Sequence, residues 1–391
     1  MSVQQTRNLL RTKDTQGHVG PVELLFDLVY VFTIIQLSHY VVAHLDVLGV
    51  AEAAVLFFAV WWGWNYTAWA MNWLNPFARG TQLLLAVLML AALTMAIAIP
   101  EAFTERAWLF VTGYLVLQLV RSSFMVWAFR GQVMGRNYAH LLAWSAIAGV
   151  LWLVGLGFEG EARLALWALA VLIEYASPRF GFWLPGLGST PMSSWPTTES
   201  HLAERNRLVF IIALGESILV LGGALLSEEF TFGVVAAAVV GFTTMFLLWW
   251  LYFDFRHGNA EHEYESDDVT AAARDAYAYA HALMVGGAIL VAVGIEEVVH
   301  HPVGETSAWI AFTIVSGPIV YLLGNLIFQR ALWRRTATSR LTGIAALLAV
   351  GVTSLWLPPL AVAVLVVAVM VALAAFDASS DRGVTTAAQN T

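Results

Sequence analysis

Residues 80–100 read GTQLLLAVLMLAALTMAIAIP. The run carries no charged side chain, and it is bracketed by Arg79 on one side and Glu101 on the other. A helix rises about 1.5 Å per residue, so about 20 apolar residues cross the hydrocarbon of a bilayer. The stretch has the length and composition of a membrane-spanning helix. Eleven more candidates surround it, at 22–43, 50–73, 107–129, 138–157, 162–177, 208–227, 231–253, 272–296, 307–329, 340–357 and 359–376. Pro178 cuts the 162–177 segment short, and Leu357-Pro358-Pro359 separates the last two. Across 391 residues, 59% are hydrophobic and 12% charged, about half the charge of a soluble domain. Too little polar surface remains to cover a soluble core, so lipid must solvate the exterior.

The fold expected is therefore an all-α integral membrane protein of about twelve transmembrane helices. The charges suggest its orientation. If the N-terminus is cytoplasmic, sixteen of nineteen Lys and Arg residues fall on inner segments, from Arg7, Arg11 and Lys13 through Arg79, Arg130 and Arg136 to Arg340 and Arg382. Only Arg106 and Arg163 fall on outer loops, which carry Asp46, Glu101, Glu159, Glu228 and Glu229 instead. This alternation follows the positive-inside rule and places both termini in the cytoplasm. The polar N-terminal segment lacks an apolar core with a cleavage site, so the first span is expected to direct insertion.

The two halves share features that point to a parallel repeat. Trp61-Trp62-Gly63-Trp64 in the second span matches Trp249-Trp250-Leu251-Tyr252 in the eighth, and Ala107-Trp108-Leu109 matches Ala308-Trp309-Ile310. Six helices per half insert the same way up, a layout known among transporters. The expected organisation is a cytoplasmic segment 1–20, a first repeat 21–177, a Pro/Gly/Ser-rich linker 178–203, a second repeat 204–376 and a disordered cytoplasmic tail 377–391.

Polar residues inside the spans are the candidates for function, because they are costly in lipid. Arg121 is the one basic residue well inside a span and should be paired with a group at similar depth. Glu23 and Asp27 are four residues apart on one helix face, with Tyr30 and Ser38 on the same stripe. Glu174 lies near the inner end of the sixth span, and Glu216 follows Gly215 in the seventh, on one face with Arg205. Asn65, Asp254 and His281 lie toward the same side. Together these residues suggest a cavity open to the cytoplasm, in which a buried carboxyl carries a proton. The competing interpretation is plain helix-to-helix pairing, which suits Glu23 and Arg205 near helix starts. Asp27 and Glu216, deeper in the membrane, suit function.

The aromatic cluster Trp61, Trp62 and Trp69 with Trp249, Trp250 and Tyr252 suggests a pocket for an apolar or cationic ligand, or simple packing. The chain has no Cys, which excludes disulfides and thiolate chemistry. His39, His44, His300 and His301 lack metal-ligand spacing, and the acidic run 261–268 lacks that of a calcium loop. Neither metal nor cofactor is expected. No basic run suits nucleic acid, so the expected partners are membrane lipids and a small-molecule or lipid substrate.

Two stretches also carry a family resemblance. Glu23-Leu24-Leu25-Phe26-Asp27-Leu28-Val29-Tyr30, continuing to Gln36-Leu37-Ser38-His39, resembles the opening signature of the bacterial low temperature requirement A proteins. His201-Leu202-Ala203-Glu204-Arg205, continuing to Ala213-Leu214-Gly215-Glu216-Ser217, is similar to the second signature of that family. Asn206-Arg207 departs from it, where an aromatic and a Gly are more usual. The resemblance covers almost the whole chain and implies a bacterial cytoplasmic-membrane protein linked to growth in the cold. It implies no particular chemistry. The leading expectation from the residues is a proton-linked transporter with Asp27 and Glu216 as coupling carboxylates, balanced by Arg121 and Arg205. The alternatives are an acid-catalysing enzyme acting on a lipid or isoprenoid, and a sensor or scaffold.

Overall fold

The computed structural model describes residues 9–11, 19–197, 199–258, 269–334 and 337–389. Over these residues the chain is all-helical. The principal helices are α1 (Pro21–Ala43), α2 (Val47–Met71), α3 (Arg79–Ala98), α4 (Ala107–Ala128), α5 (Val133–Gly155), α6 (Gly160–Ala176), α7 (Glu199–Ser227), α8 (Phe232–Gly258), α9 (Val269–Arg274), α10 (His281–His300), α11 (Ala308–Trp333), α12 (Thr338–Thr353) and α13 (Pro359–Gln389). A π-helical turn, Asp275–Ala280, joins α9 to α10 and makes one continuous span.

Eleven helical stretches among the described residues are long and apolar enough to cross a membrane. The difference from twelve is α6. Its 17 residues reach about 25 Å at the helical rise, short of the roughly 30 Å hydrocarbon core. The last helix runs on to Gln389, over most of the segment read as a disordered tail. The 178–197 stretch, read as a linker, folds onto the first helices. Phe182 and Trp195 are buried. Asn137 donates to the Ser194 carbonyl at 2.9 Å, and Trp73 Nε1 to that of Pro196 at 2.6 Å.

The chain divides into two compact units, Met1–Val209 with Asp268–Ala271 and Phe210–Asp267 with Ala272–Thr391. In the first unit α2 packs against α1, α4 and α6, while α3 touches α4, α4 touches α5 and α5 touches α6. The sequence of α2 is largely apolar and aromatic, which suits its second half to a place inside the unit. Val60–Met71 is buried without a break. Asp46 caps this helix by accepting from the Gly49 N–H at 2.8 Å. At the start of α1 the Gly20 N–H donates to Glu23 Oε2 at 2.8 Å, and Pro21 needs no donor in the first turn.

In the second unit α10 and α11 approach most closely, along a seam of glycines. A Cβ on Gly287 would stand 2.6 Å from the Tyr321 nitrogen, and one on Gly294 2.8 Å from the Thr313 oxygen. Opposite them, a Cβ on Gly317 would stand 2.6 Å from the Val291 nitrogen, and one on Gly324 2.7 Å from the Ala280 oxygen. Apolar side chains gain nothing from leaving lipid for one another, so close backbone approach over small residues is what joins such helices. Pro318 lies within α11, which continues past it.

Candidate functional site

The first unit holds a buried ionic cluster built from the N-terminal segment, α1, α2 and the start of α7. Glu23 and Asp27 share one face of α1, and both meet Arg205. Arg205 Nη1 donates to Glu23 Oε1 at 2.9 Å, and Nη2 to Asp27 Oδ1 at 2.5 Å. All three side chains are fully buried. Arg11 closes the other side of Glu23, with Nη2 donating to Oε2 at 2.9 Å and Nε to the Met71 carbonyl at 2.7 Å. Burial lowers the Arg11 guanidinium from its usual value, and the Glu23 carboxylate opposes that shift. Trp64 Nε1 donates to Asp27 Oδ1 at 2.8 Å. Two guanidiniums thus face two carboxylates, and the group is neutral when His201 is neutral.

His201 adds a choice to this balance. Its Nε2 lies 2.8 Å from Glu23 Oε1 and 2.9 Å from Arg11 Nη2. One ring nitrogen cannot donate to the carboxylate and accept from the guanidinium at once. The two carboxylates are also held unequally. Each oxygen of Glu23 receives two contacts, whereas Asp27 Oδ2 has no hydrogen-bond partner among the described residues. Beside the cluster lies a groove of about 510 Å³, lined by Val19, Leu24, Ser200, Ala203, Glu204, Arg207 and Leu208.

A second polar group lies in the same unit around Arg121. Its Nη1 donates to the Gly63 carbonyl at 3.2 Å, its Nη2 to Gln118 Oε1, and its guanidinium sits 5.2 Å from the Tyr66 ring centroid. Gln118 Nε2 in turn donates to Glu174 Oε1 at 3.2 Å, and the Tyr114 hydroxyl to Glu174 Oε2. This corrects the expected direct pairing: no carboxylate lies within ion-pair distance of Arg121 among the described residues. An amide, a carbonyl and an aromatic face hold it instead, and they can reach because α2 and α4 are in contact. Arg205 likewise pairs with Glu23 and Asp27, whereas the sequence placed it on one face with Glu216.

The remaining candidates fall elsewhere. Asn65 is buried on α2. Trp61, Trp62 and Trp69 are buried in the first unit, where Trp62 stacks on Tyr175 at 4.0 Å and Trp61 lies 5.0 Å from Trp64. Trp249, Trp250 and Tyr252 belong to the second unit. Trp249 and Trp250 are 40% and 39% exposed, as befits lipid-facing rings. The Tyr252 hydroxyl and His281 Nε2 lie 2.8 Å apart, and His281 Nδ1 is 3.1 Å from the Ala276 carbonyl. Nδ1 must donate to that carbonyl, and in the neutral ring Nε2 then accepts from the tyrosine. Glu216 is fully buried in the second unit. The side chain of Asp254 and the run 261–268 lie outside the described residues. No cluster of three His, Asp or Glu residues suited to a metal occurs among the described residues.

Sequence reasoning passed over Arg11, Tyr114 and Gln118. Arg11 entered only as an orientation charge, and Gln118 looked like an ordinary residue beside Arg121. The one available signal was the i, i+3 spacing of Gln118 and Arg121, which puts them on one face.

Buried ion pairs inside long apolar helices define a multi-pass helical membrane protein. Comparison with known proteins then gives the particular group. The family model described as bacterial low temperature requirement A protein (LtrA) matches residues 18–375, and the chain belongs to that family. It is 35% identical over 353 residues to uncharacterized protein RA0937 of Rhizobium meliloti (strain 1021), a match covering 89% of this chain and 86% of that one. No solved structure matches it.

Proposed function

We propose that the chain is a proton-linked secondary transporter of the bacterial cytoplasmic membrane, and that Asp27 carries the coupling proton. Two parallel six-helix repeats with cytoplasmic termini are part of this proposal. The observation that carries it is the half-held Asp27 carboxyl. One oxygen is tied to Arg205 and Trp64, while the other is buried without a partner among the described residues. A buried acceptor left unsatisfied costs about 1–3 kcal/mol, more when charged, and a proton on that oxygen relieves the charge. Glu23 has four contacts and supports a different role, holding the N-terminal segment, α1 and α7 together. Glu216 is the matching candidate in the second unit.

The test is flux in proteoliposomes that enclose a pH-sensitive dye, screened with organic cations, organic anions and neutral solutes. We expect one class to move protons, and Asp27→Asn to reduce the signal to that of empty vesicles. Asn keeps the Oδ1 contacts, so loss of fold is not the expected cause. Proton-independent transport, or coupling untouched by Asp27→Asn, would overturn the proposal. A lipid product that appears only with the protein would favour the enzyme instead. Absence of any flux together with unchanged cell growth in Asp27→Asn would favour a scaffold built on Glu23.

A further inference from the structure

Three buried carboxyls of the first unit, Glu23, Asp27 and Glu174, form a graded series. Glu23 touches two guanidiniums, Asp27 touches one, and Glu174 touches none among the described residues. Arg121 is the cation nearest in the network to Glu174 among the described residues, and its hydrogen bonds reach that side chain through the Gln118 amide. An ionised carboxylate buried without a direct counter-charge is the costliest of the three, so the neutral acid gains most there. The contacts of Glu174 suit either form. Ionised, it accepts from the Tyr114 hydroxyl and from Gln118 Nε2; protonated, its O–H donates to the Tyr114 oxygen while Gln118 Nε2 still reaches Oε1.

We propose that Glu174 is a second proton-binding site, distinct from Asp27, which takes a proton from hydronium while Arg121 stays charged. The reaction is a simple balance: the carboxylate gains the proton and hydronium becomes water. The groups facing Glu174 are Tyr114 and Arg121 from α4 and Trp152 from α5, which packs on Tyr114 at 5.0 Å. From α2 comes Tyr66, whose hydroxyl is 3.5 Å from Ser177 Oγ, and Tyr175 is the neighbour on α6 itself. Tyr30 lies about one turn beyond Asp27 on α1. Its buried hydroxyl has no hydrogen-bond partner among the described residues, and it feels the charges of both Arg121 and Asp27. Gly63 leaves room for it, since a Cβ there would stand 3.1 Å from the Tyr30 oxygen.

This second site extends the proton-linked reading and rests on it for its use. Its test does not depend on transport. Infrared difference spectra of the full-length protein in bilayers, acid minus neutral, report the carboxylic-acid C=O stretch. We expect a pH-dependent acid band that Glu174→Gln removes and Asp27→Asn keeps. Tyr114→Phe should retain that band and move it to higher frequency, because one hydrogen bond to the acid is lost. That variant keeps the site testable if Glu174→Gln does not fold. A spectrum with no titrating band, or a band unaffected by both Glu174→Gln and Tyr114→Phe, would overturn the second site. Loss of proton coupling in Asp27→Asn with no Glu174 band would leave the transporter proposal standing and remove this one alone.

Discussion

Arg205→Leu destabilises the protein by about 3–5 kcal/mol, the cost of leaving a buried ionic group without its partner. The size of the effect follows from the geometry rather than from the number of contacts. Among the described residues Arg205 is the one that touches both Glu23 and Asp27, and every member of the trio is buried. Leucine would fill much of the space, yet two carboxylates would remain. Arg11 still holds Glu23, so Asp27 suffers most. Adding Asp27→Asn to Arg205→Leu should therefore recover part of the loss, since it removes the stranded charge. Unfolding in detergent, followed by tryptophan fluorescence, measures both variants. An Arg205→Leu protein as stable as wild type, or a double variant worse than either single one, contradicts the ionic account of this cluster.

The second large effect is mechanical. Gly317→Leu should separate α10 from α11 and cost at least about 3 kcal/mol, the upper end of ordinary overpacking. Its Cβ would stand 2.6 Å from the Val291 nitrogen and 2.9 Å from the Gly287 oxygen. Both are backbone atoms, so no side-chain rotation relieves the clash. Gly215 supplies the control, since a Cβ there meets nothing within 4 Å. Gly215→Ala should be neutral or stabilise by about 0.5–1 kcal/mol, the usual gain from replacing a helical glycine. Thermal unfolding of the two variants side by side separates close packing from helix propensity. Equal stability in both would show that the glycine seam is not what joins the two helices.

Much of the architecture is legible in the sequence because lipid imposes a length. The stretch at 80–100 announces its helix with no structural help. The same rule explains why α6, bounded at Gly160 and Ala176, is the shortest of the candidate spans. What hydropathy cannot give is the neighbour of each helix. It places Arg121 and Glu174 at similar depth but says nothing about which way each points, so the bridging Gln118 stayed invisible. Arg11 illustrates a different gap. Counting it as an inner-side charge hid that it folds back onto Glu23. The pairing of Glu23 and Asp27 on one face was legible, because four residues make about one helical turn. The glycine seam had a signal too, in the seven-residue spacing of Gly287 with Gly294 and of Gly317 with Gly324.

The central claim is that Asp27 is a buried carboxyl that takes up a proton while Glu23, four residues away, stays ionised between two guanidiniums. Apolar carbodiimides react with protonated carboxyls in apolar surroundings, so labelling native membranes across a pH series and mapping the adducts by mass spectrometry tests it directly. The expected result is an adduct on Asp27 that fades as pH rises, and none on Glu23. Equal labelling of both residues, or an Asp27 that stays unreactive at every pH the fold survives, would contradict it.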